Sequence, residues 1–111
     1  MPNYQDTIIY SIRCKTNPKF IYIAFTTTDL NTCWDRFKNL FKSGYRIGIY
    51  SFIENIEDWY FKFEMFYPCL SYSEANEGKS KVIKQYSTVN YNSRDEFVKL
   101  LYRYKAAKNK Y

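Results

Sequence analysis

The sequence predicts an α/β fold of the α+β sandwich kind: a three-stranded antiparallel sheet flanked by helices in ββαβα order, followed by a C-terminal helix. Three observations predict it. Two strand-like stretches near the N-terminus are joined by turn residues, a third alternating stretch lies past the midpoint, and three segments repeat apolar residues at helical spacing.

From Ile8 to Cys14, Ile8, Tyr10, Ile12 and Cys14 fall on one side and Ser11 and Arg13, followed by Lys15, on the other. Thr16-Asn17-Pro18-Lys19 has turn chemistry, and Phe20 to Thr26 is aromatic and β-branched, so the two stretches predict an antiparallel hairpin. Thr28 or Asp29 is a candidate cap for a helix near 29–43. Its apolar stripe is Leu30, Cys33, Trp34, Phe37, Leu40 and Phe41, and Gly44 stops it. Residues 45–57 read as irregular or partly extended.

Trp59 to Phe66 alternates again, with Trp59, Phe61, Phe63 and Met65 opposite Tyr60, Lys62 and Glu64, and Pro68 ends the strand. Ser71 or Ser73 opens a second helix near 72–86 with Val82, Ile83 and Tyr86 inward. Gly78 inside it costs about 1 kcal/mol relative to Ala. Ser93-Arg94-Asp95-Glu96 fits a capping box, so 94–108 is predicted as an amphipathic helix packing by Phe97, Leu101 and Tyr104. The chain divides into a domain over 1–92 and a basic C-terminal helix over 93–111 packed on it.

The 111 residues suit one domain, and the 46% hydrophobic and 22% aromatic content suffices for its core. A net charge of +6 favours polyanionic partners. No apolar run approaches the roughly 20 residues of a bilayer span, and the N-terminus lacks signal-peptide features. A soluble intracellular protein, or one within a virion, and no membrane partner are therefore expected. Three separated cysteines and no histidine exclude the usual zinc patterns and argue against a disulfide framework.

Ile8-Ile9-Tyr10, then Tyr22-Ile23-Ala24, then Thr26-Thr27-Thr28-Asp29-Leu30 entering a helix, resembles the paired strand motifs and first helix of the GIY-YIG endonucleases. Glu54-Asn55, Trp59, Tyr67-Pro68-Cys69, Ser73-Glu74-Ala75, Ile83 and Val89-Asn90 resemble the second half of small stand-alone members from large DNA viruses. The resemblance implies a metal-dependent phosphodiesterase ancestry. In that family a motif tyrosine assists the attacking water, a helix arginine steadies the phosphate, and a glutamate on a later helix holds a divalent cation.

This chain departs from the pattern at most of those positions. Tyr10 and Tyr22 stand at the motif tyrosines, but Ile8 and Ala24 replace the glycines. Cys33 stands at the arginine position and Phe37 at the next motif position. With Ile83 setting the register, Lys79 stands at the glutamate position. Glu77 and Glu74 lie about 200° and 140° around the helix from Lys79 and do not substitute for it; Arg36 lies about 60° from Cys33 and can approach a phosphate from the side. Losing one oriented charge-stabilising donor typically costs about 10²–10³ in rate, and losing the cation removes several kcal/mol more.

The expectation is a catalytically degenerate, nuclease-like binding or assembly module without cofactor or metal. Arg13, Arg36 and Lys79 are the candidate contacts to a double-stranded DNA backbone, and Tyr10, Tyr22, Cys33, Phe37 and Lys79 are the vestigial site. The competing expectations are a structural component of a larger particle, held by other proteins, and a surviving metal-dependent endonuclease.

Overall fold

Both faces of Ile8–Cys14 (β1) are buried, because it is the middle strand of the order β2-β1-β3 and helices cover the sheet on either side. The structure, a computed structural model, describes residues 3–85. The elements follow the predicted ββαβα order: β1, Asn17–Thr26 (β2), Leu30–Lys42 (α1), Trp59–Phe66 (β3) and Tyr72–Gln85 (α2). Both pairings of β1 are antiparallel. The helix expected over 94–108, the inward position of Tyr86 and the 93–111 segment lie outside the described residues.

The strands divide the core by parity. On one side Tyr10, Ile12 and Cys14 pack with Phe20, Phe37 and Trp59 beneath α1; on the other Ile9, Ile21 and Ile23 pack with Val82 of α2. Fully burying an aliphatic side chain such as Ile9 or Ile23 contributes about 1.5–3 kcal/mol. The first cluster is mainly aromatic, with Phe20 edge-on to Trp59 at 4.9 Å and Phe37 packed on Tyr50 at 4.6 Å.

Two features depart from the expected pattern. The turn is Lys15-Thr16 rather than Thr16 to Lys19, because Asn17 already pairs with Cys14. Arg13 pairs next with Ile21, so Pro18, Lys19 and Phe20 bulge out of the ladder. Proline lacks the amide donor a paired position needs, and a bulge on an outer strand accommodates it. In β3, Ile9 pairs with Met65 and Tyr10 with Phe63, leaving Glu64 as an extra residue. This second bulge resets the parity: Met65 packs with the α2-side cluster instead of sharing a face with Phe61.

Local chemistry fixes the helix ends. Asp29 caps α1 by accepting from the Thr32 amide at 2.9 Å and the Thr32 hydroxyl at 2.7 Å. At the other end Arg46 donates to the Phe41 carbonyl and lies over the Phe41 ring, 3.7 Å from its centroid. Its charge also complements the negative end of the helix dipole. Ser71 caps α2 by accepting from the Glu74 amide, and the Glu74 carboxylate accepts in return from the Leu70 amide. Residues 45–57 contribute a 3-10 helix, Gly48–Phe52, which buries Ile49 and Phe52 under the α1 side of the sheet.

Candidate functional site

β1 and β2 carry Tyr10 and Tyr22 to the same face, diagonal to one another, because Tyr10 pairs with Ala24 and Ile12 with Tyr22. α1 crosses above them. Cys33, one turn into that helix, donates its thiol hydrogen to the Tyr10 hydroxyl at 3.6 Å. Phe37, one turn further, reaches the Phe61 ring at 5.1 Å, and Phe61 in turn lies 4.8 Å from the Tyr10 ring. Tyr10, Tyr22, Cys33 and Phe37 thus meet in one cluster.

The cluster is mainly apolar, with Tyr10 and Phe37 buried and Tyr22 and Cys33 partly so. Tyr10 is only 7% exposed. Burial, reinforced by the neighbouring Cys33 thiol, pushes its phenol well above the ordinary tyrosine range, so it stays protonated at neutral pH. Burial, then Cys33 and Tyr45, also raises the Tyr50 phenol. A neutral phenol among aromatic rings packs well and does not activate water.

Lys79 does not join this group. It is half-buried beside Gly78 on α2, and α2 packs through Val82 against the opposite face of the sheet. Its ammonium would repel a cation, and among the described residues no three carboxylate, thiol or imidazole groups gather to hold one. Among the described residues, the position that the resemblance gives to the metal-holding glutamate therefore does not fit a divalent ion. Glu74 is engaged in capping α2, and Glu77 is exposed on the outer side of that helix.

The three expected phosphate contacts have different fates. Arg13 points along its own sheet: Nη2 lies 2.8 Å from Glu64 Oε1 and Nε donates to Ser11 Oγ at 2.9 Å, with only 14% of its side chain exposed. It is held as part of the α2-side interior and is not presented to a ligand surface. Arg36 is exposed on α1, close in sequence to Cys33 and Phe37. Lys79 is placed as described above, away from the tyrosines.

Sequence reasoning missed the triad of Ser11, Arg13 and Glu64. Glu64 Oε1 accepts from Ser11 Oγ at 2.7 Å as well as from Arg13, which satisfies polar groups that sit beside fully buried Ile9. The signal was available in the hydrophobic Ile9 at the same parity as Ser11 and Arg13, since a strand with apolar residues on both faces needs cover on both. Also missed was a cavity at the β1–β2 turn, between Thr16 and Asn17 on one side and Glu54 to Trp59 on the other.

No protein-family model, curated protein or solved structure matches the chain. No helix among the described residues is long and apolar enough to cross a membrane.

Proposed function

We propose that the chain is a degenerate GIY-YIG nuclease-like module that contacts a double-stranded DNA backbone without cutting it. The contact between Cys33 and Tyr10 carries this reading. At the position where the resemblance implies a tyrosine open to water beside a phosphate-binding arginine, a thiol instead engages a buried phenol at 3.6 Å. Hydrolysis needs an activated nucleophile and charge stabilisation on the phosphoryl oxygens. Tyr10 and Cys33 supply neither, while the motif order Ile8-Ile9-Tyr10, Tyr22-Ile23-Ala24 supports the ancestry.

On this reading Arg36, exposed on α1, makes a backbone contact. The test is salt-dependent binding of duplex DNA together with a nuclease assay with and without magnesium. Binding in metal-free buffer without cleavage is expected, and Arg36→Ala should lower the salt slope by about one unit. Magnesium-dependent cleavage abolished by Tyr10→Phe would overturn the proposal.

A second reading, a component of a larger protein assembly such as a virion, draws support from the stretch Phe63 to Tyr72. There Phe63, Phe66, Leu70 and Tyr72 are 53%, 56%, 77% and 60% exposed. Large apolar side chains left in water favour protein contacts. Absence of any DNA binding, together with concentration-dependent association lost on Phe66→Ser and Leu70→Ser, would put this reading first.

A further inference from the structure

Between Asp35 and Glu54 the chain carries Arg36, Lys38, Lys42 and Arg46 and no carboxylate. The middle of that stretch, residues 42–48, is exposed at every position and joins the C-terminal end of α1 to the 3-10 helix Gly48–Phe52. It displays apolar surface at its tip: Ile47 is 68% exposed and Tyr45 39%. A large apolar side chain left in water between cations marks a contact with a polyanion that also offers an apolar surface.

The loop is held rigid. Gly44 and Gly48 have φ of 100° and 62°, in the left-handed region, so the chain turns sharply before Tyr45 and after Ile47. The Gly44 and Tyr45 amides donate to the Phe41 and Leu40 carbonyls at 3.1 and 3.2 Å. Arg46 Nη1 donates to the carbonyls of Phe41 and Tyr45 at 2.6 and 2.8 Å, and the Tyr45 ring stands edge-on to Tyr50 at 5.1 Å. Beyond Ile47, the Ser51 hydroxyl donates to the Gly48 carbonyl at 2.6 Å, and Ile49 and Phe52 are buried. Ile47 is therefore displayed between two anchored flanks, which spares the ordering cost that a mobile loop incurs on binding. Capping α1 uses only Nη1 of Arg46. Its Nε and Nη2 donors have no partner among the described residues and suit phosphate oxygens.

We propose that this loop is a wedge for the minor groove of duplex DNA: Ile47 inserts at a base step and bends the duplex, while Lys42 and Arg46 hold the flanking phosphates. The inference rests on the duplex-binding reading above and adds the groove and the deformation. The minor groove is about 6 Å wide, which admits a narrow loop tip and excludes a helix. Apolar wedges, isoleucine among them, partially unstack a base step there, and pyrimidine–purine steps such as TA yield most readily. An anionic membrane surface fits less well. A single myristoyl chain gives only marginal membrane binding, and one isoleucine buries far less apolar surface.

The probe is a duplex of about 20 base pairs with a central TA step, labelled at both ends for energy transfer and carrying 2-aminopurine at the step, titrated with the full chain at low salt. Energy transfer should rise as the duplex bends by about 20–90°, and 2-aminopurine should brighten as the step unstacks. Ile47→Ser, at an exposed position, should abolish both signals and change the affinity by less than about tenfold, because phosphate contacts dominate it. Lys42→Ala should keep the bend and lower the salt slope by about one unit.

Duplex binding with neither signal, or with both intact in Ile47→Ser, would overturn the wedge and leave the backbone-contact reading standing. No duplex binding at all would remove both. Tighter binding to vesicles of equimolar phosphatidylserine and phosphatidylcholine than to the duplex, lost in Ile47→Ser, would overturn the wedge by assigning the loop to a membrane surface.

Discussion

The ring of Tyr67 occupies the space that a side chain on Gly78 would need: a Cβ built on Gly78 falls 2.6 Å from Tyr67 Cε1. Glycine in α2 is therefore a packing requirement, since it lets the last residue before Pro68 lie against the helix that covers the sheet. Replacing it with alanine gains about 1 kcal/mol of helix propensity. Overpacking a filled site costs about 1–3 kcal/mol. Gly78→Ala should therefore lower stability by about 1 kcal/mol in urea unfolding. In a Tyr67→Ala background the same substitution should raise it, and additive effects in the two backgrounds would show that the contact does not matter.

Removing Glu64 takes away the carboxylate that pairs with Arg13. With 8% of the Glu64 side chain and 14% of Arg13 exposed, their pairing is largely shielded from water. Breaking such a pair on one side typically costs about 3–5 kcal/mol. Glu64→Ala should cost about 3 kcal/mol in urea unfolding, and the joint change Arg13→Met with Glu64→Leu should recover much of it. Losses under 1 kcal/mol for Glu64→Ala would mean that solvent already reaches the pair.

Tyr10 gives the fold an alkaline limit. Its phenol titrates at 10.0 when unperturbed and is raised in the folded chain. Above that value the unfolded state releases a proton that the folded state keeps, so the contribution is intact below pH 10 and is lost as pH rises. Tyr10→Phe should flatten the fall in melting temperature above pH 10. It should cost little at pH 7, where it removes one weak contact to Cys33.

Asp29 acts in the opposite direction. Side-chain and backbone hydrogen bonds from Thr32 hold its carboxyl below the ordinary 3.8. Its stabilising contribution is present above that value and is lost as pH falls through the lowered one. Asp29→Ala should lower the melting temperature at pH 7, and the gap from the parent should narrow in acid. Asp29→Asn should retain most of the stability at pH 7 because asparagine also caps.

The sequence made β1, α1 and the start of α2 legible because their periods and caps are written in adjacent residues. Asp29 and Ser71 cap where polar side chains precede apolar stripes. The bulges were not legible. In Trp59 to Phe66 aromatic and polar residues alternate whether or not Glu64 is extra, so nothing local reveals that Met65 has changed face. Pro18 reads as a turn residue because proline suits turns and bulged outer strands equally. At the candidate site, the replacements Cys33 and Phe37 were readable as apolar helix positions. That Lys79 would sit across the sheet from Tyr10 depended on which face α2 covers, a tertiary fact. Nothing local to Arg13 reveals its partner, because Glu64 lies 51 positions further along the chain and belongs to the second bulge.

The register break of β2 at Pro18 and that of β3 at Glu64 leave neither outer strand with a regular pleat from end to end. Cross-β fibres grow when the edge of one sheet offers a flat, evenly spaced row of amides and carbonyls to the next chain. Here an incoming strand meets a bulged proline segment on one side, and on the other a strand that changes face part-way and presents Lys62. For a chain that is 22% aromatic, these interruptions oppose fibril growth by blocking the geometry that strand stacking requires, so high concentration should favour discrete complexes over amyloid.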